Sequence, residues 1–203
     1  MVDFEHHSDE DLIHAFKDGE EGAFEAIMDR YEGRLFGFLK RMCGHTEDAE
    51  ESLQDTLLSA FKSLEGFRGE GSLKSWLYKI ASSACLKKRR KGKFDPAEEL
   101  SIEAFFSGAG DARTLEIPDL TDHPGLSFEK AELMNRIREA VVALPSKYRS
   151  VLALRDFEGL STDEAADILG ISAPSVKTRL HRARLQMRES LDSIYSEHRG
   201  EVA

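Results

Sequence analysis

The sequence has no apolar run approaching the ~20 residues that a membrane span needs, so no membrane insertion is expected. Its first residues, MVDFEHHSDED, are acidic and lack the apolar core of a signal peptide, which predicts a cytoplasmic protein. Only two cysteines occur, Cys43 and Cys85, neither in a C-x-x-C pair. A zinc site needs about four clustered ligands, so these two are expected as buried free thiols in helical apolar patterns. His6 and His7 stand side by side near the start and read as a surface pair. There is no glycine-rich phosphate loop and no nucleophile beside a base. Neither metal, cofactor nor catalytic activity is therefore expected. Period-two alternation is also missing, which speaks against strands.

Positive charge is scarce overall: 28 Lys and Arg against 38 Asp and Glu give a net charge of −10 over 203 residues. That balance alone speaks against nucleic acid, but its distribution points the other way. Residues 1–55 sum to −11, 56–94 to +8, 95–132 to −8, and 133–203 to +1. Within the last block, Ile171 to Arg188 holds five basic residues and no acid. Two basic patches on an acidic chain suit two separate nucleic-acid contacts and leave the acidic surface for another partner.

The apolar residues recur at helical spacing. Ser8 caps a short helix bearing Leu12, Ile13 and Phe16, which stops near Gly19. Phe24, Ile27, Tyr31, Leu35, Phe38, Leu39 and Met42 mark a longer helix, broken at Gly44. A third opens at Thr46 with Leu53, Leu57, Ala60, Phe61 and Leu64 as its stripe. A fourth follows Ser72 with Leu73, Trp76, Leu77, Ile80, Ala84 and Cys85, and ends in the run Lys87 to Lys91.

Residues 95–126 hold three of the five prolines, the run Ser107 to Gly110 and a strong acidic bias, and read as a linker. A second helical unit begins near Ser127, with Leu133, Ile137, Ala140, Val141 and Leu144 as one stripe ended by Pro145. The next helix carries Tyr148, Val151, Leu152 and Phe157.

From Leu160 the chain spells a helix-turn-helix. Ser161 with Glu164 three residues on is a capping-box signature, and Gly170 supplies the tight turn. Ser172 caps the second helix, where Val176, Leu180, Ala183 and Met187 form one inward stripe. Ser175, Lys177, Thr178, Arg179, His181 and Arg182 are thereby turned outward. Such a face suits the major groove, since arginine pairs bidentately with guanine and Ser or Thr reaches bases or phosphates.

Two segments resemble one family. DAEESLQDTLLSAFKSLEGFRGEGSLKSWLYKIA (48–81) is similar to the core-binding and promoter-melting region of extracytoplasmic-function sigma factors of the sigma-70 family, close to the sigma-E type. Residues 123–184, from HPGLSFEK to RLHRAR, resemble their C-terminal −35-reading domain. The resemblance implies that Asp48, Glu51, Gln54 and Asp55 dock on a coiled coil of the polymerase largest subunit. Read by themselves, they fit a solubilising acidic helix start. The loop Phe67 to Gly71 is implied as the pocket for an extruded −10 base. Base extrusion costs a few kcal/mol, so Arg68, Lys74, Lys79, Lys87 and Lys88 are the cations expected along the unpaired strand. Ser83 stands where the family often has asparagine, and is included in the −10 set. Trp76 fits either a stacking platform or the core. The linker fits either an imitation of nucleic acid inside polymerase or a solvated tether.

The sequence thus predicts an all-α protein of two helical domains, 8–94 and 127–196, joined by the acidic linker 95–126. The −35 set is Ser172, Ser175, Lys177, Thr178, Arg179 and Arg182. The partners implied are core RNA polymerase, promoter DNA (duplex at −35, melted at −10) and an anti-sigma factor, in a stress or envelope response. Two rivals stand beside this reading. A free-standing helix-turn-helix regulator would bind DNA tightly alone and leave residues 48–81 unexplained. A small helical enzyme or adaptor would leave no DNA footprint.

Overall fold

The computed structural model describes Phe4 and residues 6–91 and 128–200, which fold entirely as helices and connecting turns. The linker 95–126 and Ser127 lie outside the described residues. Along the chain the helices form two groups, one ending at Lys91 and one beginning at Phe128.

The first unit holds α1 (Asp9–Lys17), α2 (Ala23–Cys43), α3 (Thr46–Ser63), a 3-10 turn (Leu64–Gly66) and α4 (Leu73–Lys91). The starts follow local chemistry. Ser8 and Asp11 form a reciprocal capping box, Ser8 Oγ accepting from Asp11 N at 3.1 Å and Asp11 Oδ2 from Ser8 N at 2.9 Å. The Ser8 hydroxyl also donates to Asp11 Oδ2 at 2.6 Å, and this bond, followed by that from Ser8 N, holds the Asp11 carboxyl below its ordinary range. Gly44 ends α2 in the left-handed region, φ 89°, which explains the break there. Ser72 Oγ accepts from Ser75 N at 3.1 Å and starts α4. Across α1 and α2, Asp9 takes Arg30 at 2.6 Å and also the Tyr31 hydroxyl. Leu12, Ile27, Leu35, Phe38, Leu39, Leu77 and Tyr78 are the large side chains of the core.

Three expectations change here. On α3 the buried residues are Ala49, Ser52, Thr56 and Ala60, whereas Leu53 and Leu57 are half-buried and Phe61 is exposed. This helix packs against both α2 and α4, and small side chains permit that double approach. Thr56 satisfies its hydroxyl on Ser52 O at 2.6 Å. On α4 the buried set is Leu73, Leu77, Tyr78, Ala81, Ser82 and Cys85, so Trp76, Ile80 and Ala84 sit at the margin. Cys43 and Cys85 are buried as expected but not free: they are paired, Cα to Cα 5.8 Å, stapling the end of α2 to α4.

The second unit holds α5 (Phe128–Ala143), α6 (Ser146–Leu152) continued by a π-helical segment (Ala153–Phe157), α7 (Thr162–Leu169) and α8 (Ala173–Gly200). Pro145 sits at the cap of α6, as its fixed φ and missing N–H favour. The π segment, closed by Glu158 N on Ala153 O at 3.1 Å, had no signal in the sequence. The capping box is present, with Glu164 N on Ser161 Oγ at 3.1 Å and Ser161 N on Glu164 Oε2 at 2.8 Å. Gly170 turns at φ 64°, and α8 runs to Gly200, past the expected boundary at 196. Val176, Leu180, Ala183 and Met187 are all buried against the unit, as their spacing predicts.

Candidate nucleic-acid and polymerase interfaces

Burial of that α8 stripe dictates what the helix offers to solvent. Ser172, Lys177, Thr178 and His181 are exposed, while Ser175, Arg179 and Arg182 are half-buried. The Thr178 hydroxyl donates to Pro174 O at 3.0 Å, one turn back on the same helix. Arg182 Nη1 reaches the Tyr148 hydroxyl at 3.4 Å, which draws this guanidinium toward α6. Arg184 is committed further: Nε and Nη2 grip Asp156 at 2.9 and 2.6 Å, and the Asp156 side chain is only 6% exposed. The hydrogen bonds to Asp156 hold Arg184 above the ordinary arginine range. Sequence spacing gave no sign of this clamp, because its two ends lie on different elements. One of the five cations between Ile171 and Arg188 therefore fixes α8 to the π segment.

In the first unit, the four acidic and amide residues lie on α3. Asp48 is half-buried, and Glu51, Gln54 and Asp55 are exposed. The same face continues one and two turns on with Leu58, 58% exposed, and Phe61, 54% exposed. The sequence pattern placed Phe61 on the inward stripe of α3 and left Leu58 unassigned, so neither was expected at the surface. Phe61 packs edge-on against Phe24 and Phe16, with centroids at 5.0 and 5.7 Å, which fixes a ring that would otherwise be mobile.

Of the residues expected at the −10 strand, Arg68, Lys79, Ser83 and Lys87 are exposed and Lys74 is half-buried, its ammonium 5.9 Å from the Tyr78 ring centroid. Trp76, Lys79, Ser83 and Lys87 follow one another at i+3 and i+4 along a single face of α4. The Ser83 hydroxyl donates to Lys79 O at 2.8 Å. Two placements differ from expectation. Phe67 is buried, 8% exposed, with its ring 5.2 Å from Trp76, so it anchors the loop while Arg68 to Gly71 project. Lys88 turns to the acidic face, 3.1 Å from Asp48 Oδ1 and in contact with Glu51. The hydrogen bond to Glu51, followed by that to Asp48, holds its ammonium above the ordinary lysine range.

Among the described residues there is no cluster of His, Cys, Asp and Glu able to hold a metal, and no helix long and apolar enough to cross a membrane.

Comparison with known proteins agrees with this arrangement. The family model for Sigma-70 region 2 matches residues 27–105, and that for Sigma-70, region 4 matches 134–187. The chain is 31% identical over 184 residues to the ECF RNA polymerase sigma factor SigW of Bacillus subtilis, covering 90% of this chain and 96% of that protein. It is 26% identical over 191 residues to the ECF RNA polymerase sigma-E factor of Haemophilus influenzae, covering 92% and 97%. Two solved structures share the fold. CnrH, in complex with the cytosolic domain of CnrY, aligns with a TM-score of 0.62 at 22% identity over 91% of this chain and 97% of its own. The sigma factor RpoE from Bartonella quintana, in complex with the anti-sigma factor NepR, gives 0.60 at 22% over 84% and 98%. The chain therefore belongs to the sigma-70 family as an extracytoplasmic-function sigma factor, a non-catalytic subunit that brings core RNA polymerase to promoters and assists the opening of DNA.

Proposed function

We propose that the first unit, within 8–94, docks on core polymerase through α3 and captures the melted −10 strand through the 67–71 loop and α4. The second unit, within 127–196, reads the −35 duplex through α8, and the acidic linker 95–126 spans the two. The observation that carries this reading is the α3 face, where Glu51, Gln54 and Asp55 lead into exposed Leu58 and Phe61. A basic helical partner satisfies the acids, and the exposed apolar pair supplies area worth ~25 cal/mol per Å² on burial. A free-standing DNA-binding regulator gives that face no use.

On α8, Lys177, Thr178 and Arg179 are the groove-facing side chains, with Ser172 and Ser175 at the helix start. Arg182 joins them by leaving Tyr148. On α4, Lys79, Ser83 and Lys87 track the strand, Arg68 and Lys74 flank the loop, and Trp76 shows an edge to it. Control by an anti-sigma factor fits a protein of this fold, since both structural neighbours were solved with a partner protein. A cytoplasmic location and a stress or envelope regulon complete the reading.

The test separates base readout from anchoring. Arg179→Ala and Arg182→Ala holoenzymes are measured against a set of single-base −35 variants at several salt concentrations. A bidentate guanine contact predicts a loss of ~1–3 kcal/mol and relaxed preference at one position. Uniform weakening across every variant, with a shallower salt slope, for both mutants transfers readout to Ser175 and Thr178.

A further inference from the structure

The loop between the 3-10 turn and α4 is held at three points. At its start, Phe67 N donates to Leu64 O at 3.0 Å, and the Phe67 ring is buried against Trp76. At its end, Ser72 caps α4. Between them, Gly69 and Gly71 take φ of 75° and 99°, a path that other residues rarely follow. The third hold comes from far away in the chain: the Lys17 ammonium, in the last turn of α1, donates to Phe67 O at 2.6 Å in a partly buried setting, fifty residues distant. α1 also packs on the 3-10 turn itself. This helix lies before residue 27, where the match to Sigma-70 region 2 begins.

We propose that Lys17 is a positioning residue for strand capture: its ammonium, seated on the Phe67 carbonyl, holds the 67–71 loop closed on Trp76 in the shape that receives an unpaired base. The inference rests on the −10 reading of that loop. A charge-assisted hydrogen bond to a partly buried carbonyl is strong and directional. Without it the carbonyl must find water, and the loop gains conformations that do not hold Phe67 on Trp76. The core beneath rests on apolar side chains, with Leu12, Leu64 and Leu77 fully buried, and Lys17 itself is exposed. The effect therefore falls on loop geometry, and core docking through α3 stays as it is.

The test uses the full chain with core polymerase and a fluorescent single-stranded oligonucleotide carrying the non-template −10 strand of a promoter selected by run-off transcription. Lys17→Met keeps the aliphatic stem and removes the charge, Lys17→Arg keeps a donor, and Arg68→Ala probes the loop itself. Lys17→Met is expected to lose about tenfold in strand affinity and in open-complex formation, the weight of one such hydrogen bond. Lys17→Arg recovers most of it, while core affinity, melting temperature and the salt slope of strand binding stay at wild-type values. A salt slope lowered by about 0.7 in Lys17→Met marks a direct phosphate contact and overturns the positioning role. A parallel fall in melting temperature and core affinity marks a merely structural role and overturns it too. Wild-type strand capture by Lys17→Met with a defective Arg68→Ala rejects the inference alone. Wild-type behaviour of both variants rejects the −10 reading of the loop as well.

Discussion

The Lys88 ammonium lies 3.1 Å from Asp48 Oδ1 and also contacts Glu51, so a cation of the basic α4 run neutralises part of the acidic face of α3. The pair is half in solvent, and its net strength is correspondingly small. On the proposed docking role of α3, a basic partner for Asp48 and Glu51 competes with Lys88 for these carboxylates. Lys88→Gln should therefore bind core polymerase about two- to fivefold more tightly at low salt, with the gain fading as salt rises. Charge reversal at Asp48 and Glu51 should do the opposite and leave duplex binding by α8 unchanged. Equilibrium titration of labelled core over a salt series reads both, and unchanged affinity in either variant contradicts the assignment.

Leu58 is more than half exposed, so Leu58→Ser costs the isolated protein little stability. In the holoenzyme it should weaken core binding by at least tenfold, the scale of a lost apolar anchor at an interface. Calorimetric melting beside core titration separates the two effects. Equal core affinity in a folded Leu58→Ser protein removes the apolar half of the proposed face.

Pairing of Cys43 with Cys85 closes a loop of 42 residues in sequence separation. A crosslink over that span contributes about 2–4 kcal/mol, largely by constraining the unfolded chain. Denaturant unfolding with and without reductant should differ by this amount in the wild type and not at all in the Cys43→Ala, Cys85→Ala double variant. Free-thiol titration of the unreduced protein should return no reactive cysteine, even after unfolding. Two titratable thiols and a reductant-insensitive midpoint contradict the pairing.

Tyr31 carries the pH prediction. Burial, and then the hydrogen bond to Asp9, push its phenol well above the ordinary value of 10.0. The folded state therefore prefers the protonated phenol. Its stabilising contribution is complete below pH 10 and is lost as pH rises toward the folded value. Stability measured between pH 9 and pH ~11.5 should fall more steeply in the wild type than in Tyr31→Phe. Parallel profiles for the two proteins contradict the assignment.

What was legible in the sequence was chiefly what is local. Ser8, Gly44, Ser72, Ser161 and Gly170 announce helix starts and stops because each acts on backbone groups within four residues. The α8 stripe was legible for the same reason: a single amphipathic helix with one neighbour-facing side must bury Val176, Leu180, Ala183 and Met187. On α3, which packs against both α2 and α4, hydrophobicity misleads. Ala49, Ser52, Thr56 and Ala60 face α2 and α4 because they are small, and that turned Leu58 and Phe61 outward. Contacts between distant segments left no trace in any one stretch: Cys43 with Cys85, Arg184 with Asp156, Lys88 with Asp48, and Lys17 with Phe67. Two of them, Arg184 with Asp156 and Lys88 with Asp48, draw cations of the two basic patches away from solvent.

Whether this chain acts on promoters through polymerase is decided by reconstituted transcription. Purified core polymerase, the full-length protein and a genomic fragment library are combined, and run-off transcripts are mapped alongside binding of the protein alone to the same fragments. Discrete start sites that require both components are expected, with only weak binding by the protein by itself. Tight sequence-specific binding without polymerase, and no promoter-directed transcripts with it, would show instead a free-standing regulator and overturn the sigma-factor mechanism.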